Sequence, residues 1–236
     1  MQRAFLLTIP ALILTYSLSA EEMYFAPDSM IAQGNLRTGE VDMGQPAQRA
    51  PTGGLPGFAE VPWKSTYSEV KTRLKSLSTA AVATERVEIL SEEKNKSILV
   101  RRNDVMYRYN FYKTPIEVVR LANHDLKQEE YDQTEAQLFH VKVIFSLIPA
   151  DQIETKIEKS HGGRTKSTVD DKTMEGAQIW ELTGGLVFQW VEPYKKMKFS
   201  RTVDFLSDDM ARQIMKEYKD YFDAKEKWIL QNILLY

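Results

Sequence analysis

An α+β fold with antiparallel sheet is the class this chain predicts, and three features predict it. Short runs of alternating apolar and polar residues recur; they are joined by turn-forming pairs too short for a crossover helix; and an amphipathic helical stretch stands before each group of three. The expected architecture is two helix-plus-three-strand units followed by a long C-terminal helix.

The first helix is expected over about Thr66 to Ala81. Thr66 and Glu69 have capping-box spacing, and Tyr67, Val70, Leu74, Leu77 and Ala81 recur at helical intervals. Three strands follow as VEIL, SILVRR and VMYRYNFYK, separated at Lys94-Asn95 and Asn103-Asp104. In the third, alternation puts Val105, Tyr107, Tyr109 and Phe111 on one face and Met106, Arg108, Asn110 and Tyr112 on the other. Pro115 ends that strand and opens a polar insert in which His124 to Glu135 is read as a short exposed helix.

Leu138 to Ile148 reads as a central strand, because both of its faces become apolar toward the end. Pro149 then begins a helix over Ala150 to about Ser160, with Ile153 and Ile157 one turn apart and Gly162-Gly163 as the stop. Residues 164–176 are polar and loop-like. Three further strands, AQIWEL, LVFQWVE and KMKFSRTVDF, are joined at Gly184-Gly185 and near Pro193-Tyr194. Ser207 with Asp208 and Asp209 caps a last helix expected to continue to Leu234, about 40 Å at the helical rise. The order suggests two similar halves, 59–136 and 137–236, within one domain over 59–236, with no residue-level repeat to prove it.

Before the domain come two segments of different character. Residues 1–20 carry a positive n-region at Arg3, an apolar stretch from Phe5 to Leu14 and small residues near Ala20, which together read as a secretory signal with the mature chain starting at Glu21. A cut after Ser19 satisfies the small-residue preference better, so the bond stays open. Read as an anchor, the apolar run falls short of the roughly 20 residues that span a bilayer. Residues 21–58 hold six of the eleven glycines and four of the nine prolines with few large apolar side chains, the composition of a disordered or extended leader. Such a leader is either a linker or a segment that folds onto a partner.

Composition excludes several functions. The 236 residues contain no cysteine, which removes disulfides, thiolate metal sites, cysteine nucleophiles and a cysteine lipid anchor. An exported chain of this kind points to a bacterial periplasm, where Asn95-Lys96-Ser97 is a chance sequon at a turn. The formal net charge of −2 steers the protein toward no polyanion. Charges punctuate every apolar stretch after Glu21, so no membrane span is expected in the mature chain.

No catalytic, cofactor or metal set is predicted. His124, His140 and His161 each lack a spaced carboxylate or second histidine. His161-Gly162-Gly163 has no G-x-S-x-G nucleophile elbow to serve, and Lys166-Ser167 lacks the glycine and strand of a phosphate loop. Glu129-Glu130, Asp170-Asp171 and Asp208-Asp209 lack calcium-loop spacing. What remains is a set of candidate partner contacts: Tyr107, Arg108, Tyr109 and Tyr112 on the third strand, the run containing Lys195, Lys196 and Lys198, and the apolar tail with Trp228, Ile229, Leu230, Ile233 and Leu234. The bland alternatives are a half-solvated sheet face, lysines protecting an edge strand, and a tail packed on its own sheet.

The run PWKSTYSEVKTRL, then ILVRRNDVMYRYNFYKTP, with LFHVKVIF downstream, resembles exported proteins of spirochaetes, in particular the periplasmic flagellar-coiling and sheath group. The likeness spans Val61 to Phe145 and includes no catalytic motif. It implies a non-enzymatic protein on the flagellar filament that contributes to filament curvature and motility, and it carries over no site residue. The expectation is therefore a periplasmic structural or interaction protein, with other envelope or flagellar filament proteins as partners, homo- or hetero-oligomeric, and no nucleic acid. The alternative is an envelope binding module for a small lipid, glycan or peptide.

Overall fold

The computed structural model describes residues 54–80 and 86–233, with the backbone alone at 122 and 228–233. The predicted signal, most of the predicted leader and Leu234 lie outside the described residues. The elements in order are β1 (Gly57–Phe58), β2 (Val61–Pro62), α1 (Tyr67–Ser78), β3 (Glu88–Glu93), β4 (Ser97–Arg102), β5 (Val105–Tyr112), α2 (Ile116–Ala122), α3 (Gln128–Gln133), β6 (Gln137–Pro149), α4 (Ala150–His161), β7 (Lys166–Ser167), β8 (Gly176–Leu182), β9 (Gly185–Tyr194), β10 (Met197–Ser207) and α5 (Asp208–Ile233).

Eight strands form one antiparallel sheet in the order β3-β4-β5-β6-β10-β9-β8-β7. The two expected units are visible in that order. α1 goes with β3, β4 and β5, α4 goes with β8, β9 and β10, and the 13-residue β6 joins them by pairing with both β5 and β10. The class is α+β, as the alternation predicts.

Both helices lie on one face, and side-chain period explains why. α1 starts at the predicted capping box, where the Thr66 amide donates to Glu69 Oε2 at 2.8 Å and Thr66 Oγ1 accepts from the Glu69 amide at 3.3 Å. It buries Tyr67, Val70 and Leu74 against Ile98, Val100, Tyr109, Phe111, Leu138 and Val141. α4 buries Ile157 over Trp180, Val187 and Val203, with Ile153 and Phe145 alongside. The sheet holds α4 at both ends: Gln189 Nε2 donates to Ala150 O at 2.7 Å, and Trp180 Nε1 donates to Gly162 O at 3.1 Å. Gly162 itself stands at φ 85°, the left-handed stop that glycine permits.

Leu55, Phe58 and Trp63 fill the space between the two helices. Phe58 touches Tyr107, Tyr109 and Phe205 at ring-centroid distances of 6.0, 6.1 and 5.0 Å, and Trp63 packs against both cores. Trp63 Nε1 donates to Leu55 O at 2.7 Å, and the Leu55 amide donates to Thr183 O at 2.8 Å. Residues 54–58, read with the leader because of their glycines and proline, therefore belong to the fold. Their single large apolar pair, Leu55 and Phe58, is what the composition understated.

Other boundaries differ for local reasons. The polar insert forms two short helices where one was expected, and Lys166–Ser167 pairs with β8 inside a segment read as loop. The β8–β9 turn is Thr183-Gly184, with Leu182 opposite Gly185, and the β9–β10 turn is Lys195-Lys196, with Tyr194 opposite Met197. β9 and β10 are interior strands over most of their length, and the run with Lys195, Lys196 and Lys198 lies at their far end, beyond the last pairing with β8 and β6. Among the described residues, no helix is long and apolar enough to cross a membrane.

Candidate partner-binding surface

Among the described residues, the second face of the sheet has no equivalent helical cover over its middle. Leu99, Met106, Arg108, Lys142, Ile144, Thr202, Trp190, Phe188 and Ile179 share this face by register and are half-buried, as are Tyr107, Val143 and Phe145 on the covered face. Phe188 and Trp190 stack at 6.3 Å with a 15° angle between their planes. α5 crosses only one end of this face. Ser207 Oγ caps it by accepting from the Met210 amide at 3.3 Å, Met210 is buried, and Glu217 accepts from Tyr112 Oη at 2.7 Å and from Thr114 Oγ1 at 3.0 Å.

Within this same face runs a closed polar network. Asn110 Nδ2 lies 2.9 Å from His140 Nδ1, His140 Nε2 lies 2.8 Å from Asp204 Oδ1, and Trp190 Nε1 donates to Asp204 Oδ2. With Asn110 donating to Nδ1, the Nε2 proton goes to Asp204. Burial pushes the Asp204 carboxyl up, but the His140 hydrogen bond, aided by the Lys142 charge and the Trp190 hydrogen bond, more than offsets it and holds the group below its ordinary range. His140 is 1% exposed and Asp204 7%. The network thus ties β5, β6, β10 and β9 together on the open face, with its polar atoms turned to one another.

A shallow cavity of about 230 Å3 lies where β5, α2 and α5 meet, lined by Tyr112, Pro115, Glu117, Val118, Tyr218 and Tyr221. Burial and the Glu217 hydrogen bond both raise the Tyr112 phenol, so it stays a donor at every working pH. Among the described residues, no three His, Cys, Asp or Glu side chains are grouped to hold a metal ion.

The predicted contact residues are divided by this geometry. Tyr107 and Tyr109 point under the helices, where Phe58 meets them, and burial pushes the Tyr109 phenol up to about 12. Arg108 lies on the open face, and Tyr112 is pinned to α5. Lys195 and Lys196 form an exposed turn, and Lys198 meets Asp171 at 3.1 Å. Trp228, Ile229, Leu230 and Ile233 continue the backbone of α5. Of the histidines, His124 is exposed between α2 and α3, while His161 is half-buried at the end of α4, where burial lowers its pKa.

Sequence reading passed over Asp204, Trp190 and the aliphatic members of the open face. The available signal was the alternation itself: Met106, Arg108, Asn110 and Tyr112 were placed opposite the core tyrosines, and His140 falls in register with Asn110. Asp204 is 64 residues from His140 in sequence, and only the β6–β10 pairing brings them together.

Among the described residues, fold and surface together define an antiparallel sheet with one face covered by α1 and α4 and an aromatic-aliphatic second face that α5 covers at one end. No family model, curated protein or solved structure matches the chain.

Proposed function

We propose that this is a non-enzymatic interaction protein, exported to the periplasm, that presents its open sheet face to another envelope protein. The observation that carries the reading is the half-exposed layer of Met106, Ile144, Phe188 and Trp190 flanked by Arg108 and Lys142. Aromatic, methionine and arginine side chains are the types enriched where proteins meet. The closed state of the polar network supports a binding role over a catalytic one, since a histidine with 1% exposure meets no substrate atom. The predicted signal supports export, and the resemblance to the spirochaete sheath group supports a flagellar filament protein as the partner.

The test is site-specific photo-crosslinking in cells. A crosslinker at Met106 or Ile144 is expected to trap an envelope protein, whereas one at Lys156, on the outer surface of α4, is not. Equal trapping from both sites would refute a dedicated face. Fractionation away from purified filaments, with motility unchanged on deletion, would remove the flagellar assignment and leave the face. A second reading rests on the near-parallel rings of Phe188 and Trp190: a pair of adjacent aromatic side chains on a half-buried face suits a sugar ring or another planar ligand. Native mass spectrometry with envelope glycans, showing a bound species lost in Phe188→Ala, would favour it.

A further inference from the structure

The β9–β10 hairpin runs past the strands on either side of it. β8 begins opposite Val191 and β6 ends opposite Phe199, so beyond those positions the hairpin pairs only with itself, Lys198 with Pro193 and Met197 with Tyr194. The two turn residues, Lys195 and Lys196, stand at φ 49° and 62°. A two-residue hairpin turn with both central residues at positive φ selects Asn-Gly, because the Cβ of a left-handed residue crowds the following carbonyl oxygen. Lysine in both positions costs stability. Among the described residues neither lysine is paired with a carboxylate, and Lys195 Nζ rests 5.2 Å from the Tyr194 ring centroid.

What the strained turn achieves is presentation. Tyr194 and Met197 are cross-strand partners, so they project on one side of the tip, 45% and 57% exposed. Phe199 supports Tyr194 edge-on at 5.5 Å. The cations behind the tip are already matched, Lys198 by Asp171 and Arg201 by Glu192. The unmatched charge is that of Lys195 and Lys196.

We propose that this tip is a peripheral anchor for an anionic lipid surface. The two ammonium groups meet lipid phosphates, and Tyr194 with Met197 enters the interfacial layer, where an aromatic ring with one wet end is favoured. Shape selects a bilayer over an acidic protein. The tip is convex and one hairpin wide, whereas a stable protein contact needs about 800 Å2 per partner; lipid headgroups close around a projection without a preformed pocket.

The absence of cysteine makes the test direct. Met197→Cys carries an environment-sensitive fluorophore at the tip, and Thr183→Cys carries it on the exposed turn at the other end of β9. With vesicles of equal parts phosphatidylcholine and phosphatidylglycerol, the emission at position 197 is expected to shift to the blue and that at 183 to stay unchanged; pure phosphatidylcholine should move neither. The double variant Lys195→Asn, Lys196→Gly keeps the turn geometry, so it should fold, raise the thermal midpoint and lose about thirty-fold in partitioning to the anionic vesicles. Equal response to both vesicle types, equal response at both positions, or unchanged partitioning of the double variant would overturn the proposal. So would a tip that ignores vesicles but binds an acidic polypeptide. A lower thermal midpoint in the double variant would overturn the strain on which the argument rests.

Discussion

The two faces of the sheet are built by the same strands and yet have different fates. On one, Trp180, Val187, Val203 and Val141 are at most 4% exposed beneath α1, α4 and the Leu55–Trp63 segment. On the other, their immediate neighbours Ile179, Phe188, Thr202 and Lys142 stay half-exposed, and one end alone receives α5. Hydrophobicity does not decide the difference, because Phe188, Trp190, Met106 and Ile144 are as apolar as much of the covered side. What decides it is connection: α1 and α4 enter and leave on one side, and α5 leaves across the end of the sheet. The open face thus keeps apolar side chains that the described core does not use, which is the physical reason behind the proposal that it meets a partner.

The largest effect should come from the covered face. Trp180→Ala deletes a fully buried ring and leaves Gly162 O without its donor, at a cost of about 3–5 kcal/mol. Phe188→Ala, one strand over and facing the other way, should cost about 1 kcal/mol. Urea unfolding of both variants checks the pair, and equal losses would erase the distinction between the faces.

Next comes the network on the open face. Asp204→Asn removes the acceptor charge shared by His140 and Trp190 and should cost about 2–3 kcal/mol. The pH dependence has a fixed sign. Asp204 titrates lower in the folded chain than its ordinary value of about 3.9, so its contribution is complete above that value and is lost as the pH falls from there through the depressed one. The wild-type urea midpoint should therefore decline on the acid side more steeply than that of Asp204→Asn. Parallel acid limbs would show that the network adds nothing to the open face.

How much of this was legible in the chain follows from which interactions are local. The capping box at Thr66, the alternation of 105–112, the Gly162 stop and the Ser207 cap each lie within a few residues, and each corresponds to a structural feature. The assignment of faces was not local. Tyr107 and Arg108 alternate correctly, but nothing nearby says which side a helix will cover, because both sides carry aromatic rings. Phe58, the residue that takes Tyr107 and Tyr109 into the core, sits in a glycine-rich stretch about fifty residues earlier in the chain. The interior place of β9 and β10 was hidden for the same reason: lysines that resemble edge protection belong to a turn that overhangs the sheet. The lack of a ligand motif around His140 makes it a structural histidine in the chain, whereas its partner Asp204 needed the strand order.

A smaller effect concerns the end of the open face that α5 does cover. Tyr112→Phe removes one donor to Glu217 while Thr114 and Gln213 still hold that carboxylate, so stability should fall by about 1 kcal/mol. Amide exchange should quicken in α5 around Glu217 and stay unchanged in α1 and α4. Faster exchange across the whole sheet would mean that α5 belongs to the core and that the second face is more covered than its exposures indicate.

The smallest stability effect is expected where the functional effect should be greatest. Met106→Gln on the open face changes a half-exposed side chain with no hydrogen bond to lose, so unfolding should move by no more than about 0.5 kcal/mol. A crosslinker at neighbouring Ile144, across the β5–β6 ladder, should nevertheless trap much less partner in this background. The two measurements pull apart only if the apolar layer serves something outside the chain. A substitution that spares folding and weakens capture places the value of Met106 in the complex. One that weakens folding by several kcal/mol would return the residue, and the face with it, to the protein's own core.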